Sequence, residues 1–582
     1  MFVAFSLHMI DTKDATALRG RRWLGVLLTV GGLLMPWQAM AAGTWTQLTH
    51  NAPNSVDLML LLSDGTIMVQ KSNISSTWYR LTPDIHGSYV NGTWTTLAAM
   101  HNTRLYFSSD VLRDGRVFVA GGEYGTGTAT AEMYNPVNNT WTVLPVPTAL
   151  LDPTKKSPAL ATGNQGFIDS DSKILANGNV LVAPVGAATF GGTLIYNPSS
   201  NTWTSGPTYV RGGYQDEASW VKLPDDSILT VDPFATNSER YISSSNTWTN
   251  DAVLPVSLYD SFGFELGAAF MLPNGSAFFL GSTGHTALYT PTGTASPGTW
   301  SAGPDIPGGQ GTPDAPAAMM VNGKILCVVS PTPTSGNHFP TPTSFYEYDP
   351  VGNAFTPVNA PGGGTSAAIS SYQATMLDLP DGNVLYASQV SSNLYVYHPD
   401  GSPLADGQPT ITGITPNIDG TYHLTGTLLN GISEGAAYGD DWQMNCNYPI
   451  VRLTDAAGNV YYAHTFNWSS TSIMTGNTPE TTEFRLPPGL AAGTYSLVVV
   501  ANGNSSVPVS FYTPNALQIT QLNNQAVLSW PSSATNAVLE IATDLVAGDW
   551  TVDTDTVNIV GSSFVVTNSS GIDHAFFRLH GH

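Results

Sequence analysis

The sequence predicts an all-β protein: a seven-bladed β-propeller, then a β-sandwich, then a small C-terminal β module. Three observations predict it. Only 10% of the 582 residues are charged, while Gly numbers 57 and Pro 40. Ser, Thr and Asn take the exposed places that Lys, Glu and Arg hold in helical proteins, a composition typical of β-rich exported chains. One unit also recurs along the chain: an apolar strand, an Asp-Gly or Asn-Gly turn, a second apolar strand, then "YNP" and "NTW". It stands whole in "LYFSSDVLRDGRVFVAGG" followed by "AEMYNPVNNTWTVL". Finally, the parts of the unit are out of phase, because Trp45 precedes the first turn and no Trp strand follows the last.

The turns fall at Asp64, Asp114, Asn177, Asp225, Asn274, Asn322 and Asp381. The aromatic outer strands carry Trp45, Trp94, Trp141, Trp203, Trp248, Trp300 and Phe355. Spacings of roughly 45 to 60 residues lie near the kelch repeat of about 50. A kelch-type propeller over 43–405 follows. Its last blade lacks an outer strand, and "GTWTQL" at the N-terminal edge is expected to supply it, which leaves the ring no long free edge. From "QPTITGITP" onward the pattern changes. Strand runs through "YPIVRLTDAAGNVYYAHTFNW" and "GTYSLVVVANGNSSVPVSFY" predict an immunoglobulin-like sandwich over 406–513. Residues 515–582 read as an accessory β module.

Residues 1–41 read as an export signal: "RGRRW" is a basic start, "LGVLLTVGGLLM" a short apolar core, and Ala39-Met40-Ala41 a cleavage site. The mature chain is expected to begin near Ala42 and to be secreted or periplasmic. No segment is apolar for long enough to predict integral membrane contact. The formal net charge of −23 repels phosphate backbones and anionic membranes, which excludes nucleic acid as a partner, and it attracts cations. Cys327 and Cys446 fall in different predicted domains and are expected as buried free thiols. A monomer is expected.

Three stretches carry a family resemblance: "RGGYQ" around Tyr214, "YQATMLDLPDG" around Tyr372, and "AHTFN" around His464. With the propeller-plus-sandwich order, they make residues 43–512 resemble the galactose oxidase and glyoxal oxidase superfamily. The resemblance implies a copper ion at the propeller's centre, held by two tyrosines, a histidine directly after one of them, and a histidine from the C-terminal domain. One tyrosine would be cross-linked to a cysteine and carry a radical. Residue by residue, Tyr214, Tyr372 and His464 match. Gln373 stands where the family has a histidine, and an amide oxygen is a far weaker copper ligand than an imidazole. No cysteine lies in the repeat before Tyr214, and Cys327 sits on a second strand of a later blade. The chain resembles still more closely the bacterial kelch proteins that share this architecture without an established activity.

The residues themselves point to a second site. Eight or nine positions before each turn, where an innermost strand begins at the channel mouth, stand Tyr106, Asp169, Glu217, Glu265, Asp314 and Tyr372, with Asp57 close to the same place in the first blade. Asp216 lies beside Glu217, and Gln373 beside Tyr372. Four consecutive blades thus offer a carboxylate at one height. Such acids can accept backbone N–H bonds from a neighbouring blade. A ring of oxygens also suits Ca²⁺, and Trp220 and the tyrosines would give a ligand an apolar face. Three functions stay open on sequence alone. The first is an exported module binding a carbohydrate or other small ligand, with a cation at an acidic mouth. The second is a copper radical oxidase turning alcohols or aldehydes over to peroxide. The third is a glycosidase or lyase pairing Asp216 or Glu217 with Glu265.

Overall fold

A computed structural model describes residues 42–151, 166–167, 170–213, 215–417, 419–438, 442–513, 517–522, 525–532, 537–545, 549–561, 563–568 and 575–581. The predicted export signal lies outside the described residues. The innermost strands of seven consecutive antiparallel sheets are Val56–Leu61, Ser108–Val111, Asp171–Ile174, Trp220–Lys222, Leu266–Met271, Pro316–Met319 and Ala374–Asp378. Six sheets run in chain order from the innermost strand outward. The seventh is completed by the N-terminal strand Thr44–Gln47, which pairs antiparallel with Ser391–His398, Trp45 opposite Tyr397. Trp45 also packs on Phe345, Tyr386 and Tyr397, and its indole N–H donates to the Asn359 carbonyl at 2.7 Å. The same staple recurs in blades one and two, where the Trp94 and Trp141 indoles donate to the His50 and Ala98 carbonyls.

The repeat letters have local physical causes. At all seven turns the Asp or Asn side chain accepts the backbone N–H two residues on, at 3.0 to 3.2 Å. The residue after it sits at positive φ. Glycine holds that place in six blades, and Asp226, at φ 61°, holds it in the fourth. The hairpin loop is three residues long: in blade one, Leu62 N–H donates to the Thr66 carbonyl and Gly65 N–H to the Leu62 carbonyl. The "YNP…NTW" run closes on itself likewise. Tyr134, Tyr196, Tyr241 and Tyr348 donate their hydroxyls to Asn139, Asn201, Asn246 and Asn353, each of these asparagines at φ between 48° and 55°.

Residues 410–513 form one connected ladder of eight strands around Leu424, Val451, Leu453, Phe484, Leu497 and Val499. One strand from this region, Ala436–Tyr438, pairs instead with Pro316–Met319 on the inner edge of blade six. The segment around it therefore enters the channel. The C-terminal module is a four-stranded and a three-stranded sheet over a small core of Leu528, Trp530, Leu539 and Val566. Cys327 and Cys446 are both buried and free. Among the described residues no helix is long and apolar enough to cross a membrane.

Candidate functional site at the channel mouth

The innermost strands begin at one end of the channel and run to the turns at the other. Where three of them begin, Glu217, Glu265 and Asp314 each bring a carboxylate oxygen within 4.8 Å of the others. The backbone is bent to do this. Tyr106, Glu217 and Asp314, at the same place in blades two, four and six, lie at φ 51°, 61° and 49°. Non-glycine residues adopt this left-handed region rarely, at a cost of order 1 kcal/mol or more. In blade five the bend falls one residue earlier, on Phe264 at φ 68°. Asp260 sets that loop, accepting the Phe262 and Gly263 N–H groups on one oxygen and the Glu265 N–H on the other. Asp314 N–H donates to the Leu266 carbonyl, tying blade six to blade five directly below the carboxylates.

More acids surround the three. Asp216 is buried, and burial together with the Asp216 charge pushes Glu123 up to about 7 against the Tyr124 hydrogen bond. Burial also pushes Asp57 up to about 7, although Ser72 and the Asn73 backbone hold it down. The Tyr106 hydroxyl is driven well above its usual range, first by burial, with Asp314, Asp57 and Tyr372 adding to the rise and Gln389 opposing it. Its ring lies 5.2 Å from that of Trp442, a residue of the segment that enters the channel.

That segment fills the channel below the mouth. Lys173 donates to Glu434 at 2.8 Å, and the Lys222 backbone reaches the same oxygen. Gln443 accepts from Ser172 and Ser109 and donates to Asp171. Ser172 also donates to Asp110, which burial raises to about 7. Asp378 is raised to about 8 by burial, with Cys446 against it. The mouth is therefore a basin with a protein floor. The floor residues that the C-terminal segment supplies, Glu434, Gln443 and Cys446, carry no motif and no repeat position in the sequence.

Several sequence expectations need correction. Trp220 does not face the mouth: it is 4% exposed and packs edge-on against Trp248 between blades three and four. The indole beside the mouth is that of Trp442. The Gln373 side-chain oxygen accepts the Ser370 N–H in a local cap. His464 lies at the turn end of the channel, its Nδ1 3.0 Å from the Ser63 hydroxyl and its ring against Gly115. Tyr372 stays at the mouth end, edge-on to Phe339. At ~3.3 Å per residue, an innermost strand puts roughly 20 Å between the two ends. Tyr372 and His464 therefore cannot share one copper ion, and Cys327 is buried on the second strand of blade six, paired across from Ala317 and Tyr346. The described residues do not fit the copper site that the resemblance implies. Tyr214 and Asp169 lie outside the described residues.

Residues 104–145, which include the whole second blade's hairpin and its "YNP" turn, match the Kelch motif family. This is a kelch-repeat protein. The chain is similar to a fungal alcohol oxidase of the AA5 family in complex with copper, at 15% identity and a TM-score of 0.47, covering 81% of this chain and 99% of that one. It is also similar to YCF48 from Cyanidioschyzon merolae, at 12% identity and a TM-score of 0.39, covering 62% and 99%, and to YjhT, at 11% and 0.32, covering 65% and 96%. At these scores the likenesses carry no argument about what the kelch protein does. No curated protein matches the chain.

Proposed function

We propose that this kelch-repeat protein is an exported binding protein whose channel mouth holds an oxygen-liganded divalent cation and, through it, a small polyhydroxylated ligand. One observation carries the reading: three carboxylates from three blades within 4.8 Å of one another. Three like charges that close raise one another's proton affinity unless a cation neutralises them. Ca²⁺ takes six to eight oxygens, so three side chains leave coordination places for water or for the hydroxyls of a sugar. The net charge of −23 draws cations to the surface.

The test is a melting curve of the mature chain. Ca²⁺ at about 100 times its dissociation constant stabilises the folded state by about 2.7 kcal/mol, chelator removes the shift, and Glu217→Gln reduces it. A melting temperature unmoved by millimolar Ca²⁺ overturns the cation. N-terminal sequencing of the mature protein tests export, with Ala42 as the expected first residue.

A further inference from the structure

We propose that a second binding site, for a small aromatic monocarboxylate, lies at the other end of the channel. It is a cleft of about 440 Å³ between blades one and two on one side and the strands Val460–Phe466 and Glu480–Arg485 on the other. That volume lies within the range of small-molecule sites, which favour such junctions. Nothing in the repeat predicts it, since one wall comes from the propeller and the other from the C-terminal ladder.

Its charges select the ligand. Three carboxylates and three guanidiniums line this cleft and the smaller one that adjoins it. The carboxylates are occupied. Asp64 accepts the Thr66 N–H and hydroxyl, Asp84 accepts the His86 and Ser88 N–H groups, and Asp114 pairs with Arg116 at 2.6 Å. The other two arginines have no carboxylate partner among the described residues, although Arg80 hydrogen-bonds the Tyr134 side chain, with its Nε and Nη2 buried, and the Arg485 guanidinium lies 5.9 Å over the Phe466 ring. Burial lowers the proton affinity of His464, with Asp64 acting the other way, so its ring adds no charge at neutral pH. The cleft is thus neutral in sum, and the exposed Arg485 guanidinium offers itself to a carboxylate, which arginine binds through paired N–H donors, while Arg80 adds its charge from the propeller wall. A dianion such as phosphate would meet the three carboxylates. The walls select the body of the ligand. Pro83, Pro136, Pro487, Leu486 and the Tyr461 ring offer flat apolar faces suited to an aromatic ring and few donors suited to a sugar.

The test is saturation-transfer NMR and calorimetry on the mature chain, with benzoate, 4-hydroxybenzoate and 4-hydroxycinnamate as probes. The matching amides, galacturonate and inorganic phosphate serve as comparisons. The carboxylates are expected to bind, and the amides to bind at least about tenfold more weakly, because they cannot form the charged pair. Arg485→Gln, at an exposed position, is expected to weaken binding by about tenfold with the melting temperature unchanged. No carboxylate binding up to roughly 10 mM, equal affinity for the amides, tighter binding of galacturonate or phosphate, or an Arg485→Gln protein that binds like the parent each overturns the proposal. Ca²⁺ at the mouth is read separately, by the melting curve, so either site can fail without the other.

Discussion

Lys173, on the innermost strand of blade three, donates to Glu434 at 2.8 Å inside the channel, joining residues 261 positions apart in the chain. Lys222, from blade four, is buried beside the same carboxylate and donates to Thr471 as well. Two cations and one anion here hold the C-terminal segment in the propeller.

Removing the anion should therefore be costly. Glu434→Gln leaves both lysines buried without their charge partner and is expected to destabilise the protein by about 3 to 5 kcal/mol in urea unfolding. Adding Lys173→Met should restore part of the loss. A Glu434→Gln variant within about 0.5 kcal/mol of the parent would show that the segment is held by packing alone.

Ring closure should depend on the N-terminal strand. Trp45→Ala removes an indole wedged against three aromatic rings and one carbonyl. A loss of about 2 to 4 kcal/mol is expected, with the first proteolytic cuts falling in residues 384–398. Cuts elsewhere first, at unchanged stability, would mean that blade seven holds without its fourth strand.

Asp378 gives a pH signature. Burial raises it from 3.8 to about 8. Below pH 4 both folded and unfolded chains are protonated, and the residue contributes no pH dependence. Between pH 4 and 8 the folded chain holds one proton more than the unfolded one, so stability falls as pH rises through this window. Asp378→Asn should flatten the fall and raise the melting temperature at pH 8 by several degrees. An unchanged pH profile would place the titration elsewhere.

Backbone strain and ligation can be separated at Glu217. Glu217→Gly relieves a left-handed residue and should stabilise the chain without Ca²⁺ by about 1 kcal/mol, while abolishing the Ca²⁺ shift. If the variant keeps the full shift, the cation is held by other oxygens.

The parts of this molecule that could be read from sequence are those with short-range causes. The seven turns declare themselves because each Asp or Asn bonds a group two residues away, and the Tyr–Asn pairs because they close over five. The phase offset of Trp45 sufficed to place a strand some 350 residues from its partner. The grouping of Glu217, Glu265 and Asp314 followed from a shared place in the repeat, although blade five reaches it through a differently placed bend. Side-chain direction was not readable in the same way. Trp220 is close to Glu217 in the chain, yet it turns into the seam between blades. The channel floor was invisible because Glu434, Trp442 and Gln443 obey no repeat and find their partners hundreds of residues away. The match at "AHTFN" identified a sequence likeness but not an end of the channel.

The strand that closes blade seven also imposes a timetable on synthesis. Thr44–Gln47 is made early, and its partner Ser391–His398 comes about 350 residues later. At roughly 5 to 20 residues per second, the early strand waits about 20 to 70 seconds with its hydrogen-bonding edge uncovered. Through that interval six blades can assemble as an open arc. The newborn chain carries an adhesive end until translation is two-thirds complete, so the moment of greatest exposure to self-association and to chaperones is set by gene order within the ring.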